Sequence, residues 1–151
     1  MSFGSKFMEE SLLDLKNKVD SVDKDLDFEL GEIKVREQDW KNMDEEASKI
    51  LNTNSNDIVR LNVSGKKFAT TIATLLNIKD TLFYRLITSR KIDMTKELFL
   101  DRSPNYFCDL LDYMRYKEFH YRKYSEDQLD EIYFEAQYFE FTEIMDHLGE
   151  R

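Results

Sequence analysis

A seven-residue apolar repeat runs through the first third of the chain and restricts its fold more than any other feature. With Leu12 at position a, the a positions are Leu12, Val19, Leu26, Ile33, Trp40 and Ala47. The d positions are then Met8, Leu15, Val22, Glu29, Arg36, Met43 and Ile50. All but Glu29 and Arg36 are apolar, and most residues between them are charged. A repeat sustained over six heptads is the signature of a coiled-coil helix, and a strict 3.5-residue period implies a left-handed supercoil. A helix over residues 8–51 is about 65 Å long at 1.5 Å per residue. The alternative is a long amphipathic helix packed on its own domain, but a stripe of two positions in seven suits a partner helix better.

Glu29 and Arg36 interrupt the seam one heptad apart, both at d. Two readings stand level. They form a register- or partner-selecting device, or they mark a solvated stretch whose side chains reach outward. In a parallel arrangement Lys18 and Asp23 attract across the seam, whereas Glu32–Glu37 and Asp39–Asp44 repel. Strand number and orientation stay open.

Residues 1–7 read as a flexible N-terminus without the apolar core of a secretion signal. Downstream, Asn52-Thr53-Asn54-Ser55-Asn56 is polar and poor in helix formers, so 52–56 reads as a linker. Of the chain's aromatics, only Phe3, Phe7, Phe28 and Trp40 precede residue 57, and the rest follow it. That places a separate globular core over 57–149. With 4 glycines and 1 proline in 151 residues, the chain cannot supply the turns that a many-stranded sandwich or barrel needs. The second region is therefore helix-rich.

In that region Val59, Leu61 and Val63 alternate with Arg60 and Asn62, the pattern of a half-buried strand. Ser64-Gly65 is a two-residue turn, and Lys66–Thr70 returns as the second strand of a hairpin. Thr70 or Thr71 caps a short helix, and Asp80 caps another carrying Leu82, Phe83, Leu86 and Ile87. Leu98-Phe99-Leu100 is a short strand. Ser103-Pro104 reads as N-cap and first helical residue of a helix presenting Phe107, Leu110, Leu111 and Met114. Ser125 and Gln128 form a capping box ahead of Leu129, Ile132, Tyr133 and Ala136. A last helix shows Phe141, Ile144, Met145 and Leu148 and stops at Gly149. The order β-β-α-α-β-α-α-α defines an α+β domain.

The stretches Ile58–Phe68 and Leu98–Phe107, with Leu110-Leu111-Asp112-Tyr113-Met114-Arg115 after them, resemble the potassium-channel tetramerisation (T1-type) BTB/POZ domain. Its pattern is roughly a strand ending N-V-G-G-x-x-F, then F-h-D-R-D-P-x-x-F-x-x-h-L-x-Y-h-R, with h hydrophobic. The helix through Glu131–Phe139 is similar to the family's L-x-E-A-x-Y/F-F segment. The positions that carry the resemblance are Leu61, Asn62, Val63, Gly65, Phe68, Asp101, Arg102, Pro104, Phe107, Leu111 and Arg115. Ser64 stands where the family has its first glycine, which suggests a turn without positive φ there. Ser103 replaces the acid that follows Asp-Arg. The zinc-binding His/Cys set of some channel members is absent from the sequence.

The resemblance implies a T1-type BTB/POZ domain preceded by a coiled coil, KCTD-like, that assembles with itself as a tetramer or pentamer, with a dimer as a further option. It implies a cytoplasmic scaffold for protein-protein interaction, with two alternatives: a substrate adaptor of a cullin-based ubiquitin ligase, in which a cullin is a partner, or an assembly fragment of a channel-like protein.

The chemistry in the sequence points away from catalysis, and no cofactor or metal is expected. Ser64-Gly65-Lys66-Lys67 lacks the spacing of a phosphate loop and joins two strands. Cys108 has no His or Asn partner motif, and one cysteine with two distant histidines offers no metal set. Glu126, Asp127, Asp130 and Glu131 suit the start of a helix. Tyr113–Tyr124 interleaves tyrosines with Arg115, Lys117, Arg122 and Lys123, a combination able to stack and neutralise single-stranded nucleic acid. The net charge of −9 opposes that, and packing between helices is the simpler role. No apolar run approaches the ~18 residues of a membrane span. Membrane insertion and nucleic-acid binding are both set aside.

Overall fold

A computed structural model describes residues 3–151. The chain divides into two compact units, one up to Asn42 and the other Met43–Arg151. Helix α1 (Phe3–Asn54) supplies all of the first unit and the opening of the second.

The first unit is helix alone, about 60 Å of it at 1.5 Å per residue. It starts at Phe3, so residues 3–7, expected to be flexible, are helical, while 1–2 lie outside the described residues. Leu, Lys, Glu and Asp dominate the sequence, with one glycine and no proline after Gly4. A side chain such as Lys18 pairs with Asp14 one turn back at 2.9 Å. Such exposed pairs add only a few tenths of a kcal/mol each, so local terms alone leave a helix of this composition marginal.

The second unit has its own core. Strands β1 (Ile58–Val63) and β2 (Lys66–Thr71) pair antiparallel, with Val63 opposite Lys66 and Ile58 opposite Thr71. Strand β3 (Leu98–Leu100) lies parallel to β1, giving the order β2-β1-β3. A parallel neighbour requires a crossover, which is provided by α2 (Ile72–Leu75) and α3 (Leu82–Thr88). Helices α4 (Phe107–Tyr116), α5 (Glu126–Phe139) and α6 (Thr142–Gly149) complete the domain. Val59, Leu61 and Val63 are fully buried, as their alternation predicts. Around them Phe83, Phe107, Phe139 and Phe141 pack ring against ring; Phe83 stacks on Phe139 at 5.3 Å, and Phe107 meets Phe139 at 5.6 Å.

Several local expectations are corrected by tertiary context. The helix does not end at residue 51: Asn52, Thr53 and Asn54 are its last turn, with the Thr53 hydroxyl donating to the Lys49 carbonyl at 3.0 Å. Nor is the segment after it slack. The carbonyls of Ser55 and Asp57 accept the N–H groups of Ala73 and Ile72, both at 3.0 Å. These are first-turn donors of α2 that have no partner inside their own helix.

Ser64 has φ +46° and Gly65 φ +100°, the positive pair that a tight two-residue hairpin turn demands. The serine therefore occupies the left-handed region after all. Its N–H donates to the Leu100 carbonyl at 3.0 Å and its hydroxyl to the Arg102 carbonyl at 2.8 Å. These bonds to the end of β3 offset a conformation that costs a non-glycine residue about 1–2 kcal/mol.

Thr71 caps α2 and Thr81 caps α3, the latter accepting from the Tyr84 N–H at 3.1 Å. Asp80, expected in that role, instead turns the chain at φ +62°, a conformation Asp tolerates. Helix α4 begins at Phe107, three residues later than Ser103-Pro104 suggests, and its N-cap, Tyr106, makes no side-chain cap. The Ser103 hydroxyl accepts from the Asn105 N–H at 3.3 Å, a local turn that competes with capping. The capping box of Ser125 and Gln128 is formed in both directions. Gly149 is the last residue of α6 rather than the residue beyond it.

Candidate functional site

Two surfaces carry the interaction chemistry of this chain, one on each unit. On the first, the seam residues Met8, Leu12, Leu15, Val19, Val22, Leu26, Ile33 and Trp40 are all between 48% and 65% exposed. Leu30, also exposed, stands four residues after Leu26 and three before Ile33. It therefore continues the stripe beside the interruption at Glu29. Together these side chains make a contiguous exposed apolar row along α1.

The last three seam positions have a different fate. Ala47 and Ile50 are 3% and 5% exposed within the single chain, and Met43 packs against the same core cluster. They serve their own domain, so their assignment to an interface between chains is corrected. The reason is polar as well as apolar. The Tyr84 hydroxyl donates to Asp44 at 2.5 Å, Lys79 donates to Asp44 at 3.2 Å, and Arg90 pairs with Glu46. The bonds from Tyr84 and Lys79 hold the Asp44 carboxyl below the usual carboxylate range, Tyr84 being the larger influence. The Tyr84 hydroxyl is pushed up, first by burial and then by the Asp44 carboxylate.

The motif residues of the second unit divide into core and surface. Leu61, Val63, Phe107 and Leu111 are buried, and Phe68 meets Phe107 edge-on at 4.8 Å. Asn62 braces the hairpin: its carbonyl accepts the Gly65 N–H at 2.7 Å and its amide donates to Glu97 at 3.2 Å. Lys67 donates to the same carboxylate at 2.6 Å. The Glu97 carboxyl is accordingly lowered, by Lys67 first and Asn62 second.

Arg102 makes two bonds to Glu135 of α5, at 3.2 and 2.9 Å, and its guanidinium lies 4.5 Å from the centre of the Tyr138 ring. Asp101 beside it is exposed. Pro104 is half-buried and Arg115 pairs with Asp112 at 2.7 Å. Arg102 thus ties the end of β3 to α5. Glu135 is 8% exposed, and sequence reasoning missed it as a partner; the available signal was a lone acid inside the apolar face Leu129, Ile132, Ala136 and Phe139.

On the outer face of the sheet Ile58, Arg60 and Phe99 are exposed. In the Tyr113–Tyr124 stretch most of the rings pack against other rings of the domain, while Tyr116 is exposed. Phe119 packs at 5.0 Å from Tyr121 and 5.6 Å from Tyr124, and Tyr121 stacks on His147 at 3.8 Å. Among the described residues no helix is long and apolar enough to cross a membrane.

The chain thus combines an α+β domain tied together by internal ion pairs with a helix that carries an exposed apolar row. The match to the BTB/POZ domain family covers residues 59–148, more than half of the chain, and the chain belongs to that family, in its potassium-channel tetramerisation type. It is 34% identical over 97 residues to human BTB/POZ domain-containing protein KCTD3, covering 62% of this chain and 12% of the relative. It is 38% identical over 65 residues to SH3KBP1-binding protein 1 of Bos taurus, covering 41% of this chain and 9% of the relative. A BTB/POZ domain-containing protein of Arabidopsis thaliana is 40% identical over 63 residues, 40% of this chain and 14% of that protein. The matched stretch is thus a small part of each relative's length. Domains of this family are non-enzymatic interaction modules.

Proposed function

We propose that the chain is a homo-oligomerisation and protein-interaction module, assembling through the α1 seam from Met8 to Trp40 and through its BTB/POZ domain. The observation that carries this is the row of eight seam side chains, each about half exposed or more in the single chain. Burying each against neighbouring chains contributes on the order of 1.5–3 kcal/mol, enough in sum to hold a helix that local terms leave marginal. The domain supplies a second contact in the exposed Ile58, Arg60 and Phe99 on the outer face of its sheet. Side-to-side contacts of one kind close into a ring, and a tetramer or pentamer in the cytoplasm is the assembly we assign.

Absolute mass by native mass spectrometry and light scattering tests the reading. A discrete multiple of 18.1 kDa supports it. A strict monomer at tens of micromolar overturns it. Retention of a cullin in a pull-down with the full chain would move the assignment to a ligase adaptor.

A further inference from the structure

The domain carries a groove that neither the helix seam nor the family resemblance accounts for. It is an open cleft of about 470 Å³ where the end of α1 meets α2, the 77–79 loop and the C-terminus of α4. Its floor is Leu76 and Tyr113, both nearly inaccessible. Leu51, an exposed leucine, and the partly exposed Ala73 line it as well. Lys79 and Lys117 stand on the rim, both exposed.

Two features say that the shape is fixed. Asn77 donates its amide to the Met114 carbonyl at 2.8 Å and to the Arg115 carbonyl at 3.3 Å, holding the 77–79 loop against the end of α4. Lys117, in the left-handed conformation, closes α4 by donating its own N–H to the Tyr113 carbonyl at 2.8 Å. That conformation ends the helix, so its ammonium leaves at the lip of the cleft. Lys79 is shared with Asp44 at 3.2 Å, whereas among the described residues Lys117 has no carboxylate within ion-pair distance.

We infer that this groove docks an acidic peptide segment of another protein, which sets an aliphatic or aromatic side chain against Leu51, Ala73 and Leu76 and a carboxylate against Lys117. The volume falls within the range of about 300–1,000 Å³ typical of binding clefts. An apolar floor with a cationic rim selects for an apolar anchor flanked by acid. A basic segment meets like charge at the rim.

The test uses the full chain and a fluorescein-labelled synthetic dodecapeptide of leucine pairs separated by glutamates. Its counterpart with lysine for every glutamate is the control, and fluorescence anisotropy is the readout. The acidic probe is expected to bind with a Kd of about 100 µM or tighter, and the lysine probe at least tenfold more weakly. Lys117→Glu should weaken the acidic probe by tenfold or more. Ala73→Phe, which fills the cleft from a partly exposed position, should abolish binding while circular dichroism and assembly mass stay unchanged. Equal binding of both probes, a Kd weaker than about 1 mM, or binding indifferent to Lys117→Glu and Ala73→Phe overturns the inference. If Lys117→Glu instead lowers the assembly mass, the groove belongs to an interface between copies and the inference is again overturned. Because assembly mass is read separately, the docking inference and the oligomerisation reading can fail independently.

Discussion

The two units use one stripe in opposite ways. Upstream of residue 42 the a and d side chains are about half exposed or more; from Met43 onward the same periodicity delivers Ala47 and Ile50 into the core of the chain's own domain. The first unit has charged flanks and no apolar partner within its fold, whereas the second has four phenylalanines in mutual contact and three strands to cover. Apolar periodicity specifies that a face will be buried. What buries it depends on which atoms lie within reach.

The largest effect should separate the two fates directly. If the proposed assembly forms, Val22→Lys places like charges in a layer that it dries, removing about 1.5–3 kcal/mol per chain of that valine and adding the cost of a buried ammonium. Assembly mass should fall and helicity before residue 30 should be lost, while the thermal transition of the domain stays in place. A melt and mass identical to wild type would show that the upstream stripe is not self-associating.

Next in size is Ile50→Ala, which should lower the domain's unfolding free energy by about 2–5 kcal/mol through transfer loss and cavity formation, read by urea denaturation. Leu26→Ala should leave that transition alone. A piece beginning at residue 43 should likewise fold as the full domain does, and one beginning at residue 53, lacking Ala47 and Ile50, should be markedly weaker.

Arg102→Ala leaves the Glu135 carboxylate nearly buried without its partner. The expected loss is about 2–3 kcal/mol, below the 3–5 kcal/mol of a fully buried pair because Arg102 keeps part of its surface in water. Glu135→Gln should cost less than Arg102→Ala, since it removes the buried carboxylate itself and leaves behind only an arginine that keeps part of its surface in water. The reverse order in urea melts would contradict the role given to Arg102.

A smaller effect concerns acid. The Asp44 carboxyl is held below its ordinary value by Tyr84 and Lys79. Its contribution is therefore complete above the unfolded carboxylate pKa of about 4 and is lost as pH falls through the lower folded value. Below about pH 4 the end of α1 should loosen from the domain, seen as faster amide exchange around Ala47 and Ile50. Asp44→Asn should flatten that part of the pH profile. The smallest change is Ser103→Ala, expected within about 0.5 kcal/mol because Ser103 does not cap α4; a loss near 1 kcal/mol would restore the capping role.

What was legible in the sequence was local or periodic. The heptads, the hairpin, the order of elements and the capping box at Ser125 depend on residues within a few positions of one another, where backbone geometry leaves few choices. Cap identity was less legible, since Asp80 and Thr81 are both competent and the packing of α3 chose the buried threonine. The Ser64 turn was misread because its positive φ is held by bonds to Leu100 and Arg102, residues more than 30 positions away. The Arg102–Glu135 and Asp44–Tyr84 pairs span 33 and 40 positions, and no local signal names such a partner.

By itself, then, the sequence determined that a long apolar-striped helix precedes a small α+β domain, because period and turn chemistry are properties of neighbours along the chain; the BTB/POZ reading came from the resemblance of its motifs to that family. Only the tertiary structure decided where that stripe stops being an exposed row and becomes part of the domain's own core. That choice is made at Met43, Ala47 and Ile50 by the nearness of α2 and α3, and nearness in space is set by the whole fold at once.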